Sequence, residues 1–186
     1  RYRHYVENIV SRLAIHYGNN PTVIGWQIDN EPGHYGVVDY SENAQAKFRI
    51  WLQKKYGTID KLNDTWGASF WSETYQNFEQ VRLPNQQEVP DKANPHAMLD
   101  LNRFMADELA GFVNMQADIL RRHIHKDQWI TTNLIPIFNP VDPVRIDHPD
   151  FLTYTRYLVT GHNQGIGSQG FRMGIPEDLG FSNDQF

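Results

Sequence analysis

With 186 residues and a formal charge of −5, the chain is long enough to bury one sizeable core, and it lacks the basic excess that a nucleic-acid partner demands. No apolar run reaches the ~18 residues of a membrane span. Cysteine is absent, which removes disulfides and thiolate metal sites but does not fix a compartment.

Apolar residues at Tyr2, Tyr5, Val6, Ile9, Val10, Leu13 and Tyr17 recur at helical spacing. The pattern is already under way at Arg1, and the chain does not start at Met, so we read residues 1–186 as part of a longer protein. Gly18 is expected to cap this helix, and Pro21 forbids its continuation. Val23 to Ile28 then predicts a strand. A period of two puts Gln27, Asp29 and Glu31 on one face, with Trp26 and Ile28 on the other.

Ser41 caps the next predicted helix, which carries Ala44, Phe48, Trp51, Leu52 and Lys55 and closes at Gly57. Thr58 starts a short helix through Ile59, Leu62 and Trp66. Residues 67–95 read mostly as loop, punctuated by Pro84, Pro90 and Pro95. Asn94 as cap and Pro95 in the first turn open a long helix to about Arg122. It should bury Ala97, Leu101, Phe104, Met105, Leu109, Phe112, Val113, Ile119 and Leu120. The basic cluster Arg121-Arg122-His123, with His125 and Lys126, falls at its end, where positive charge complements the helix dipole.

Trp129 to Ile135 predicts a second strand and Phe151 to Leu158 a third, rich in Tyr and Thr. The loop between them, 136–150, carries four prolines, and the stretch from Gly161 to Gly174 carries five glycines. Helices alternating with strands indicate an α/β fold with parallel strands and helical crossovers. An open doubly wound sheet and part of a closed barrel both satisfy that order.

The run Val23-Ile24-Gly25-Trp26-Gln27-Ile28-Asp29-Asn30-Glu31-Pro32-Gly33 sets an amide and a carboxylic acid at the carboxyl end of a strand, on the lip of a turn. Cleavage of a glycosidic bond needs such a pair: an acid to protonate the departing oxygen, and a polar group to hold a hydroxyl next to the reacting carbon. Five tryptophans and nine tyrosines offer flat faces that stack on pyranose rings, although the same side chains also fill cores.

The run resembles the Asn-Glu motif of the glycoside hydrolase family 42 β-galactosidases. The likeness continues through Phe48-Arg49-Ile50-Trp51-Leu52, Tyr56 to Asn63, Trp66 to Ser72, and Thr131-Thr132-Asn133. The resemblance implies a (β/α)8 barrel, of which residues 1–186 would supply part of the catalytic domain, around strands four to six. A whole barrel takes about 250 residues. It also implies a retaining β-galactosidase acting on terminal β-D-galactosides, with Glu31 as general acid/base, Asn30 bonded to the sugar's 2-hydroxyl and Tyr157 lining the pocket. No cofactor is implied, and family members often assemble as trimers. Plainer readings stand beside these roles: Asn30 as a strand-terminating residue bonded to its own backbone, and Tyr157, equally, as a packing aromatic.

Asp29 is a tempting second carboxylate. Two residues along a strand give ~6.5–7 Å of rise, against ~5–5.5 Å between the carboxyl groups of retaining enzymes. Yet both groups would approach the sugar from one wall, so Asp29 reads as a supporting residue. The family's nucleophile is a glutamate on the seventh strand, which the chain is expected to end before. Glu177 and Asp178 lack its context, and these residues alone are expected not to turn over substrate. His34, Tyr35, His162 and Asn163 are candidates for the rim of the pocket.

Some members bind zinc through cysteines after the Asn-Glu strand. Ser41 and Ala44 stand there instead, so no metal is expected. His123 and His125, two apart on a helix, point to different sides. A related barrel glycosidase of different sugar specificity, or a piece that binds carbohydrate without cleaving it, are the alternatives. Three strands of a closed barrel are also expected to leave open edges and uncovered apolar surface.

Overall fold

In the computed structural model the described residues are 1–33, 38–70, 72–85, 94–134 and 141–155. Local chemistry sets where the helices begin. The Ser41 hydroxyl accepts from the Ala44 N–H and starts α2 (Glu42–Tyr56). Thr58 accepts from Lys61 and starts α3 (Ile59–Trp66). The Asn94 carboxamide accepts from His96 and Ala97 ahead of Pro95, the first residue of α4 (Pro95–Arg121). All three begin where the capping residues predict.

Gly18 does end α1 (Tyr2–Tyr17), but with right-handed φ of −62°. Its lack of a side chain serves a close approach instead. A Cβ there would lie 2.4 Å from the Ala14 carbonyl oxygen and 2.5 Å from that of His123, so α1 and the end of α4 come together on bare backbone.

The three strands are β1 (Gly25–Gln27), β2 (Trp129–Leu134) and β3 (Phe151–Tyr154). They form one sheet in the order β1-β2-β3, and both pairings are parallel. β1 is shorter than the predicted span at both ends. Residues 135 and 156–158 of the other predicted strands lie outside the described residues.

Gly25 sits opposite Trp129 in the register, and a Cβ on it would fall 2.0 to 2.4 Å from the indole carbons. Trp129 in turn packs on Phe151 at 5.5 Å between ring centroids. Gly25→Ala therefore overpacks a site with little room to yield. It is expected to destabilise the intact protein by ~1–3 kcal/mol, read from the midpoint of urea unfolding. An unchanged midpoint would show that the indole does not cover Gly25.

Two cores lie along α4, whose 27 residues span about 40 Å at 1.5 Å per residue. Its first half packs Ala97, Leu101 and Phe104 on Phe48, Leu52, Leu62 and Trp66 of α2 and α3. Its second half packs Val113, Ala117 and Leu120 behind the sheet, against Ile28, Ile130, Leu134 and Ala14. A loop after α3 closes the first core with Val81 and Leu83, beside a 3-10 turn at Phe78–Gln80. A second 3-10 turn, Pro143–Arg145, precedes β3.

Three residues expected inside α4's core, Met105, Leu109 and Phe112, are only half-buried. They face a groove of about 800 Å³ between the start of α1, α2 and α4. The stripe predicted on α1 is displaced too. Ala14 is its buried residue, Val10 packs beside it, and Tyr2, Tyr5, Ile9, Leu13 and Tyr17 are exposed, Tyr2 to 70 %. Periodicity finds apolar residues but not the neighbour that covers them, and here α4 covers one side of α1 only.

At the opposite end of the sheet from the Asn-Glu turn, Arg121 donates to the Gln128 carbonyl at 2.9 Å and pairs with Asp150. Its charge therefore joins the end of α4 to β2 and β3. No described helix is long and apolar enough to cross a membrane.

Candidate active site

Parallel strands bring their carboxyl ends to one rim, and in barrels that rim carries the chemistry. Here it holds Asn30 and Glu31 beyond β1, Asn133 near the end of β2, and Thr155 just past β3. β1 pairing still reaches Ile28, whose N–H donates to the Thr131 carbonyl at 2.8 Å. The backbone then turns sharply. Asp29 has φ of 54° and Glu31 of 49°, both left-handed, with Asn30 between them. Aspartate tolerates that region better than most residues, whereas glutamate does so at a cost of ~1–2 kcal/mol. Such strain persists where surrounding contacts hold the backbone in place.

This turn overturns the expected alternation. Gln27 and Asp29 do not share a face, because the period of two requires an extended backbone and the chain leaves it at Asp29, so the period sets no face for Glu31 either. Gln27 reaches across the rim to β2, where its Nε2 donates to Asn133 Oδ1 at 3.0 Å. Asp29 instead accepts from Gln116 Nε2 at 2.7 Å. Gln116 is a buried residue of α4, so the Asp29 carboxylate braces the turn against the helix.

Asn133 ties the rim together. Its Nδ2 donates to Asn30 Oδ1 at 3.1 Å and to Thr155 Oγ1 at 2.7 Å. Its Oδ1 accepts from Gln27 and from the Glu31 backbone N–H, the latter at 3.3 Å. The same Glu31 N–H also meets the Asn133 carbonyl at 3.2 Å. Glu31 is thus fixed by its main chain to β2, and the residue itself is half-buried at the rim.

The structure brings together Asn30 and Glu31, two of the three site residues singled out in the sequence. Tyr157 lies outside the described residues, as do His34, Tyr35, His162, Asn163, Glu177 and Asp178. Among the described residues no group of three or more His, Cys, Asp or Glu is arranged to hold a metal ion. Asn133, Gln27 and Thr155 were not singled out for the site. A carboxamide one residue from the end of a β-branched strand was the available signal for Asn133.

The groove beside α1 reaches Gly33, two residues past Glu31, but its lining is chiefly apolar, with Ile50, Met105, Leu109 and Phe112. The convergent polar side chains stand at the strand ends instead.

The family model for glycoside hydrolase family 42, described as β-galactosidase, matches residues 1–184. A β-galactosidase from a Thermus species is 39% identical over 158 residues, covering 84% of this chain and 24% of that protein. The solved β-galactosidase of the Antarctic haloarchaeon Halorubrum lacusprofundi aligns with a TM-score of 0.84 at 29% identity, over 98% of this chain and 28% of its own. That of the psychrophilic Marinomonas ef1 aligns at 0.78 and 36% identity, over 84% and 24%. The chain spans about a quarter of the length of these relatives, and its three strands and helices align to part of their (β/α)8 barrel. The chain belongs to glycoside hydrolase family 42.

Proposed function

We propose that the protein containing these residues hydrolyses terminal β-D-galactosides with retention of configuration. Glu31 acts first as general acid and then as general base, and Asn30 holds the sugar's 2-hydroxyl. The observation that carries this is the Asn30–Glu31 pair on a left-handed turn at the rim where parallel strands end, in a chain of this family.

The chemistry runs in two steps. A nucleophilic carboxylate attacks the anomeric carbon while Glu31 gives its proton to the departing oxygen. Water then attacks the galactosyl-enzyme, giving its proton to Glu31 and releasing the nucleophile. We assign the nucleophile to a later strand of the parent barrel, outside residues 1–186, with its carboxyl ~5–5.5 Å from that of Glu31. Tyr157 is assigned to the wall of the sugar pocket, and assembly as a homotrimer rests on family likeness alone.

Stereochemistry tests the reading directly. Proton NMR of the first turnovers of the full-length enzyme is expected to show β-galactose, with the α anomer growing in only by mutarotation. If α-galactose forms first, a single displacement by water takes place and Glu31 has no covalent intermediate to release. If no galactose is released from any β-galactoside, the substrate assignment fails.

A further inference from the structure

Asn133 uses its hydrogen-bonding capacity in full. A carboxamide has two N–H donors and two acceptor lone pairs, and Asn133 makes two bonds with each. The direction of this network is set by a group that cannot be reversed. The Glu31 backbone N–H can only donate, so the Asn133 atom facing it is the oxygen. Nδ2 of Asn133 must then face the other way, toward Asn30 and Thr155. Asn30 in turn must offer its own oxygen to Asn133. What remains for a ligand is Asn30 Nδ2, which makes no bond among the described residues, on a residue open to solvent.

We propose that Asn133 is a positioning residue, which orients the Asn30 carboxamide so that its Nδ2, and not its oxygen, donates to the 2-hydroxyl of the bound sugar; this rests on the role given to Asn30 above. One backbone amide beside the proton donor thereby decides, through two side chains, which end of Asn30 the substrate meets. The acid and the hydroxyl contact are set by the same residue of β2, so the turn cannot shift one without the other.

The test compares kcat/KM of the full-length enzyme for an aryl β-galactoside and for its 2-deoxy counterpart. Their ratio does not depend on the fraction of enzyme that is active. The natural enzyme should favour the hydroxylated substrate by roughly 10²- to 10³-fold, since contacts to this hydroxyl strengthen in the transition state. Asn133→Asp keeps the size of the side chain and the acceptors for Gln27 and the Glu31 N–H, but has no N–H to give Asn30. Asn30 then turns its Nδ2 toward the new carboxylate and presents oxygen to the sugar. The preference is expected to fall about tenfold or more, chiefly in kcat, the signature of a contact made in the transition state. Asn30→Ala should lower it by a similar factor, and the double variant should go no lower than either single one, because the two residues act through one contact.

Thr155→Val, which takes one anchor from Asn133 Nδ2, supplies a milder second variant and should lower the same ratio severalfold. Equal losses on both substrates, with the ratio intact in Asn133→Asp and Thr155→Val, would overturn the proposal and leave Asn133 as a structural support. Independent, multiplying losses in the double variant would do the same. Failure of the underlying role looks different: Asn30→Ala itself would then leave the ratio unchanged.

Discussion

Glu31→Gln in the full-length enzyme is expected to lower kcat/KM for alkyl and disaccharide galactosides by about 10³-fold, within the range for loss of a general acid. A dinitrophenyl galactoside should lose far less, because its leaving group departs without a proton. The second step suffers whatever the aglycone, since Glu31 must also take the proton from water. With an activated substrate the galactosyl-enzyme therefore accumulates, and kcat and KM fall together. Azide attacks without needing a base. Its addition is expected to restore turnover on the activated substrate and to yield β-galactosyl azide. Glutamine retains the size of glutamate and meets the same left-handed backbone at φ 49°, so the folded state should be little affected. Equal losses on both substrate types with no azide rescue would reduce Glu31 to a structural residue.

The parts of this site that the sequence made legible are those governed by local rules. Ser41, Thr58 and Asn94 are caps because a short oxygen-bearing side chain reaches the N–H two or three residues ahead. Neither cap nor partner depends on distant chain. The Asn-Glu pair was legible for a different reason: a strand ends there, and the parallel order of the strands puts all such ends on one side.

The rest depends on contacts that spacing does not encode. Nothing in the identities of Asp29 and Glu31 announces a left-handed backbone, which glycine would have signalled, so alternation read from spacing runs on past Ile28, where the extended backbone ends. The amide network needs Asn133 beside Asn30, 103 positions away. Gly25 could be read from the family motif, but its physical reason is the indole of Trp129 on the next strand. On α1 the apolar spacing was right about the helix and silent about which side α4 would cover.

Asp100 provides the other large expected effect, this time on stability. It is 1 % exposed, on α4, at the centre of the helical core. Its carboxylate accepts from Lys55 and Tyr56 of α2, from Trp66 Nε1 of α3 at 3.0 Å, and from Arg103 at 3.4 Å. Burial alone would raise its pKa, but the hydrogen bonds from Lys55, Tyr56 and Trp66 outweigh that and hold it below the usual carboxylate value. Asp100→Ala strands the Trp66 N–H and the Tyr56 hydroxyl without their acceptor, and Lys55, which keeps some solvent, loses its counter-ion. Removing one partner of a buried charged node typically destabilises by ~3–5 kcal/mol, a large share of the ~5–15 kcal/mol that holds a domain folded. Urea unfolding of the intact protein is expected to show it.

The pH dependence separates charge from packing. A carboxyl whose folded pKa lies below its unfolded value of about 3.9 adds stability that is complete above that pH and is lost as pH falls through the folded value. Unfolding midpoints should therefore decline on acidification below about pH 4, and Asp100→Asn should lack that part of the decline. On the alkaline side, burial first and the bond to Asp100 second push the Tyr56 hydroxyl up to about 12. The unfolded chain ionises its tyrosine earlier, near pH 10, so stability should drain away between about pH 10 and 12, and Tyr56→Phe should remove that loss. If Asp100→Asn follows the acid limb of the natural protein point for point, the carboxylate is not held charged by its donors, and its charge adds nothing to the apolar packing that joins α4 to α2 and α3.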